Sequence, residues 1–266
     1  MPGRRVSGHH LEVMVAIVAW AAFMAVALVP ALLAVGAVPA LRARRPLGLA
    51  LVAASACASL FAATTADVLD HEALSRLDPH VHDWMVHHRA APLTLLMEVA
   101  TWLGSTATLI PVLVVFTGFV LWTRHDVRTA VQVWVALAGA VVLYNAGKDT
   151  VQRARPQAGQ MVLHTTGYAF PSGHATQSAA VWGFLTFLVA ARRWKAVTGA
   201  VLILAIGVSR VYLGVHWFSD VLGGWALGGT LLAVLVAFRL ASGVSGLGPP
   251  RVVVVSEEVT DATDPW

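Results

Sequence analysis

What most constrains this chain is a series of long windows without Asp, Glu, Lys or Arg. Six of them span 13–41, 46–66, 99–123, 129–147, 175–191 and 221–238. A seventh apolar window runs from 196 to about 213 and carries only Arg210, close to its end. A helix needs ~20 apolar residues to cross a bilayer. Backbone in lipid must satisfy its own hydrogen bonds, which selects helices for such windows. The predicted fold class is therefore all-α: a polytopic membrane helical bundle with a six-helix core and one extra N-terminal transmembrane helix. Composition supports this. The chain is 58% hydrophobic and 12% charged, about half the ~25% charge of a soluble domain, so a water-soluble globule is excluded.

The windows divide the chain into three parts. Residues 1–45 hold the extra helix and a basic loop. Residues 46–241 form the six-helix core, and 242–266 form a tail rich in Gly and Pro, then acidic at Glu257, Glu258, Asp261 and Asp264. The tail is expected to be a disordered cytoplasmic segment. Arg4 and Arg5 precede the first window like the start of a signal peptide, but its apolar part is too long for one. Pro30 and Pro39 are placed to kink or shorten that helix. The segment 70–92 joins two spans. Within it Val81, Trp84, Met85 and His88 fall at helical spacing, as expected for a short interfacial helix.

Orientation follows from the basic residues. With alternating spans, Arg42, Arg44, Arg45, Arg124, Arg128, Arg192, Arg193, Lys195, Arg239 and Arg251 share one side, which is cytoplasmic by the positive-inside rule. The N-terminus then lies outside, against the mild opposing signal of Arg4 and Arg5. The net charge of +4 does not point to nucleic acid, because the cations form short clusters between spans rather than one stripe. The single cysteine, Cys57, excludes an internal disulfide and a cysteine metal site, and reads as a packing residue.

Three clusters place polar residues where spans should end. In the first, Lys148 and Arg155 stand seven apart, which on a helix puts both cations on one face. Pro156 biases Arg155 away from helix and should end the segment. The second cluster is Phe170-Pro-Ser-Gly-His174, directly before an apolar helix. Ser172 or Gly173 suits the N-cap. Gly173 permits close approach of a ligand, and the helix start is an anion site. His174 would sit beside that anion. The third cluster runs from Ser209-Arg210 to His216 and Asp220. His216 and Asp220 are one helical turn apart, so the carboxylate can hold one ring nitrogen and leave the other as a lone pair. Arg210 adds a planar donor fork suited to phosphate. Alternating spans put all three clusters on the outer face. Together they can hold one tetrahedral anion, and positioning with charge stabilisation is most of what phosphoryl transfer needs.

These clusters match, position by position, the tripartite signature of the phosphatidic acid phosphatase type 2 superfamily, which this chain resembles. The signature is Lys, six residues, Arg-Pro; Pro-Ser-Gly-His; and Ser-Arg, five residues, His, three residues, Asp. The motifs run from Lys148 to Asp220, and the six-helix pattern extends the likeness over roughly 47–240. The resemblance implies that His216 attacks phosphorus to form a phosphohistidine and that Asp220 orients it. It implies that His174 protonates the leaving oxygen and then helps activate water. Lys148, Arg155, Ser172, Gly173 and Arg210 would bind the phosphate oxygens, with no cofactor and no metal. The superfamily also includes soluble vanadate-dependent haloperoxidases, a branch the dense apolar spans argue against.

The implied function is an integral membrane phosphatase of lipid phosphates or isoprenoid diphosphates. Undecaprenyl diphosphate, phosphatidic acid and phosphatidylglycerol phosphate are candidate substrates. The resemblance and the compact size imply a bacterial plasma membrane, with the site opening to the extracytoplasmic leaflet. Two rivals share the sequence: a phosphotransferase passing phosphate to a lipid or sugar acceptor, and a non-catalytic lipid-binding or transport protein. The latter would predict lost signature residues, and none is lost. Other polar residues take plainer readings. His71, His80, His82, His87 and His88 are expected to be solvated or interfacial. Asp149 and Arg153 read as local salt-bridge or surface residues, Thr101, Gly104 and Ser105 as small-residue packing, and Trp84, Trp122 and Trp217 as an interfacial belt.

Overall fold

The computed structural model describes residues 45–189 and 193–243, and every regular element among them is helical. The expected helix 13–41, with Arg4, Arg5, Arg42 and Arg44, lies outside the described residues, as do Arg192, Arg251 and nearly all of the tail. The helices are α1 Arg45–Asp70, α2 Ala73–His87, α3 Ala91–Leu103, α4 Thr106–Arg124 and α5 Val127–Val151. Then come α6 (173–189), α7 Arg193–Tyr212 and α8 Phe218–Ala241. α6 is built from Gly173–Gln177, a π-helical turn over Ser178–Trp182, and Gly183–Val189. Five of the helices (α1, α4, α5, α7 and α8) are long and apolar enough to cross a membrane.

Their outward faces are apolar, with Trp122 83%, Val115 73% and Val142 66% exposed. In water such faces would be aggregation surfaces; in a bilayer they face lipid. The packed interior lies where α4, α5, α6 and α8 meet, around Leu113, Val133, Leu137, Phe184, Leu188 and Leu235. α8 runs along α1 and also holds α6. Two glycines make the second contact possible. A Cβ on Gly224 would lie 2.7 Å from the Ser172 carbonyl oxygen, and one on Gly228 would lie 2.3 Å from that of Thr176. Small residues on α8 thus let the N-terminal turn of α6 sit directly against its backbone. Cys57 packs in the same way: a Cβ on Gly229 would meet its Sγ at 3.1 Å.

The window 99–123 is not one span. The chain breaks at Gly104–Ser105, and Ser105 Oγ accepts from Thr108 N at 3.2 Å to cap α4. The residues before the break belong to the short apolar helix α3, which packs on α7. Hydropathy runs unbroken across this corner, so only the cap marks it. The interfacial helix is present as α2, but its buried face carries Leu74, Ser75, Asp78 and His82. Val81 and Met85 pack beside Val211 and Val221, while Trp84 and His88 stack on each other in the open.

Candidate functional site

The three clusters meet at one end of the bundle, the end that also carries α2. Specific hydrogen bonds join them. Ala169 N donates to Arg153 O at 2.8 Å, and Ser172 N donates to Asp220 O at 2.9 Å. Arg155 Nε donates to Gly167 O at 2.9 Å, and its Nη1 donates to Val215 O at 2.7 Å. Lys148 Nζ donates to Tyr168 O at 2.5 Å. The backbone that would otherwise need water is satisfied by the site's own cations, which fixes where those cations point.

Lys148 and Arg155 do not share a helix face. α5 ends at Val151, and Gln152 caps it in the left-handed region at φ 51°. Arg155 then reaches the site from a non-helical segment, consistent with the restraint Pro156 places on it. Lys148 stays on the last turn of α5. Ser172 is the N-cap of α6, with no side-chain cap bond. Its Oγ is buried without a hydrogen-bond partner, and the N–H groups of the first helical turn have no helical carbonyl to bond. Gly173 lies against Tyr144, where a Cβ would have 3.3 Å contacts. Arg210, 4% exposed on the last turn of α7, donates through Nη1 to Thr101 Oγ1 at 2.5 Å, while its Nε is unpartnered. His174 adjoins the α3–α4 corner, its Cδ2 3.4 Å from a Cβ placed on Gly104. It lies within the electrostatic reach of Arg210, His216, Arg155 and Lys148.

His216 and Asp220 are in contact, but not as neighbours on a helical turn. α8 starts at Phe218, so His216 stands just before the helix and Asp220 lies in its first turn. Asp220 Oδ2 accepts from Trp217 N at 2.8 Å and lies 3.3 Å from His216 Nδ1. On the far side of the ring, Arg155 Nη1 is 3.3 Å from His216 Nε2. A guanidinium can only donate, and a carboxylate accepts. The proton of a neutral ring is therefore assigned to Nδ1, and Nε2 keeps its lone pair toward the cations. Burial, then the charges of Arg210, Arg155 and Lys148, push the His216 imidazole well below its ordinary range. It is neutral at pH 7.

Four residues at the site, Arg153, Thr101, His82 and Trp217, have plainer roles on sequence alone, and a fifth, Asp78, has none there. Arg153 is no surface residue: its side chain is 14% exposed and pairs with Asp78 at 2.6 Å and Asp220 at 2.7 Å. Burial opposes its charge, yet the two carboxylates more than offset that and raise its pKa. Asp78 comes from α2 and is 1% exposed. Burial pushes its carboxyl up, and Arg153 and Ser219 pull the other way. Thr101 is not merely a small packing residue, since it bonds Arg210. A faint signal existed for Asp78, the one acid in the buried i, i+4 pattern 74–78–82 of α2. His82 is likewise not solvated; it is 2% exposed and its Nε2 is 2.8 Å from Gln160 Oε1. Trp217 is part of the site wall rather than a belt residue. Its Nε1 donates to Ala154 O at 2.9 Å, and Arg153 lies over its ring at 5.7 Å. Asp149 is exposed, as expected. Among the described residues no group of three His, Cys, Asp or Glu side chains could hold a metal ion.

Comparison with known proteins agrees with the family read from the motifs. Residues 129–243 match the PAP2 superfamily. Phosphatidylglycerophosphatase B of Bacillus subtilis is 28% identical over 193 residues, covering 67% of this chain and 91% of the relative. An undecaprenyl-diphosphatase of Sulfolobus acidocaldarius is 29% identical over 147 residues, covering 53% and 68%. Among solved structures, the PAP2-type phosphatidylglycerolphosphate phosphatase from Bacillus subtilis aligns with a TM-score of 0.66 at 25% identity, covering 71% of this chain and 96% of that one.

Proposed function

We propose that this chain, whose residues 129–243 form a PAP2 superfamily domain, is an integral membrane phosphatase that hydrolyses lipid phosphates or isoprenoid diphosphates through a phosphohistidine. The observation that carries this reading is the two-sided hold on His216. Nδ1 is kept by Asp220 and Nε2 is turned toward Arg155, each at 3.3 Å. A neutral, oriented imidazole facing a cluster of cations is an activated nucleophile.

In the first step Nε2 attacks phosphorus, and the bond from phosphorus to the lipid oxygen breaks. Lys148, Arg155 and Arg210 balance the charge on the phosphoryl oxygens, assisted by Ser172 Oγ and the N–H groups of Gly173 and its neighbours. The unpartnered Ser172 Oγ and Arg210 Nε fit that role. His174, which takes up a proton when the phosphate dianion binds and offsets the surrounding cations, gives that proton to the leaving oxygen. In the second step water attacks phosphorus, His174 takes its proton, and the P–N bond breaks to return neutral His216 and inorganic phosphate. The cations and the helix start supply the charge stabilisation without a metal.

The exofacial placement rests on the basic residues. Arg128 opens α5 while Lys148 lies on its last turn, and α5, at 25 residues, is roughly 37 Å long at 1.5 Å per residue. The substrate's apolar tails stay in the outer leaflet while its headgroup enters the cage. The names of the relatives support a lipid phosphate or undecaprenyl diphosphate as substrate. Phosphate release by purified protein from a panel of phosphatidylglycerol phosphate, phosphatidic acid and undecaprenyl diphosphate tests the reading. Turnover of at least one, lost in His216→Ala, is expected. Turnover of none, or a phosphorylated acceptor in place of free phosphate, would contradict it.

A further inference from the structure

We propose that Arg153 and Asp78 are positioning residues for this reaction: acting through Asp220, they lock the carboxylate that aligns His216, and so make α2 part of the nucleophile's support. The inference rests on the phosphatase reading above.

Asp220 is 0% exposed and divides its oxygens between two tasks. Oδ2 faces Trp217 N and His216 Nδ1. Oδ1 takes Arg153 Nη1 at 2.7 Å. The same Nη1 lies 2.6 Å from Ser219 Oγ, and Nη2 lies 2.6 Å from Asp78 Oδ2. Asp78 in turn accepts from Ser219 N at 2.9 Å and Ser219 Oγ at 2.5 Å. One guanidinium fork thus bridges a carboxylate from α2 and a carboxylate from α8, with Ser219 pinned between them.

Geometry and charge both follow. Arg153 fills the Oδ1 side of Asp220, so the carboxylate plane cannot turn and Oδ2 stays aimed at the imidazole. Were Arg153 paired with Asp220 alone, it would cancel the charge that holds the Nδ1 proton. Asp78 takes the other arm of the fork, so with both carboxylates ionised the three side chains carry one net negative charge. That charge is matched when phosphorus bonds Nε2 and the ring becomes cationic. In a buried, hydrogen-bonded network such a fixed charge is present before the reaction and needs no reorganisation. Neither Arg153 nor Asp78 has a hydrogen bond to His216, His174, Lys148, Arg155 or Arg210. They act through Asp220.

The test is a double-mutant cycle on purified protein hydrolysing a short-chain lipid phosphate, with kcat and KM measured separately. Arg153→Gln is expected to lower kcat by about 10–100-fold, the scale seen when groups that orient a ligand are removed, with KM within about 3-fold. In an Asp220→Asn background the same change should cost no more than about 2-fold further, because both act on one element. Asp78→Asn keeps the side chain's shape and its acceptor for Ser219 N. It runs the same cycle independently of how well Arg153→Gln folds. Equal losses in both backgrounds, or losses confined to KM, would overturn the positioning role while leaving the phosphatase reading intact. Full turnover by His216→Ala would instead overturn the reading on which it rests.

Discussion

Arg155 Nη1 lies 3.3 Å from His216 Nε2, so the ring nitrogen that faces a guanidinium, which can only donate, is the one that must carry no proton. Burial and the charges of Arg210, Arg155 and Lys148 hold the His216 imidazole below its usual range in the free protein. A base whose pKa is lowered stays competent as pH falls and is lost only on passing through that lowered value. The acid limb of kcat/KM that reports His216 should therefore lie below the ordinary histidine value of about 6.5. Removing one of the cations should move it up. Lys148→Gln is predicted to shift this limb to higher pH and Lys148→Arg to leave it in place. A limb that stays fixed in Lys148→Gln would show that the ring does not feel the cation.

His174 stands beside the α3–α4 corner and near the cations, where a leaving oxygen would need a proton. His174→Gln should slow hydrolysis of a lipid phosphate by about 10²–10⁴-fold, the range for general acid catalysis. The deficit should shrink for an aryl phosphate such as p-nitrophenyl phosphate, whose leaving group needs no proton. An equal deficit with both substrates would assign His174 to binding instead.

In the proposed mechanism the charge stabilisation comes from side chains and a helix start. Activity should persist after dialysis against EDTA, and vanadate should inhibit by occupying the same cage. Loss in EDTA that one particular divalent ion restores would contradict the metal-free mechanism.

Membrane sidedness has a direct test because the chain has one cysteine. In a Cys57→Ser background, Trp84→Cys on the exposed face of α2 should react with a membrane-impermeant maleimide applied to intact cells. Arg128→Cys, at the other end of α5, should react only after permeabilisation. The reverse pattern would place the site in the cytoplasm.

Five spans, α1, α4, α5, α7 and α8, were legible because a bilayer imposes a signal that needs no tertiary knowledge, a nearly charge-free window of sufficient length. The expected helix 13–41 lies outside the described residues, and the window 175–191 falls on α6, which a π-helical turn interrupts. The proposed catalytic set could be picked out because each third of it is contiguous in the chain, and the structure brings the three parts to one end of the bundle. Lys148 to Arg155, Ser172 to His174 and Arg210 to Asp220 each carry their own spacing, although neither Lys148–Arg155 nor His216–Asp220 turned out to share a regular helical turn. The supporting residues were not legible in that way. Asp78 meets Ser219 across 141 residues and Arg153 across 75, and Thr101 meets Arg210 across 109. No local pattern states such a pairing. The corner at Gly104–Ser105 escaped for another reason: its residues are apolar or small enough to continue a span, and only the bond from Thr108 N to Ser105 Oγ reveals the stop.

The proposed reaction passes through a covalent bond between phosphorus and His216 Nε2, which can be trapped. Purified protein is mixed briefly with a lipid substrate labelled with ³²P at the phosphate, then denatured in alkali, where a phosphoramidate survives. Label should remain on the wild-type chain, be released by mild acid, and be absent from His216→Ala. Acid-stable label, or label of equal amount on His216→Ala, would rule out a phosphohistidine at this position.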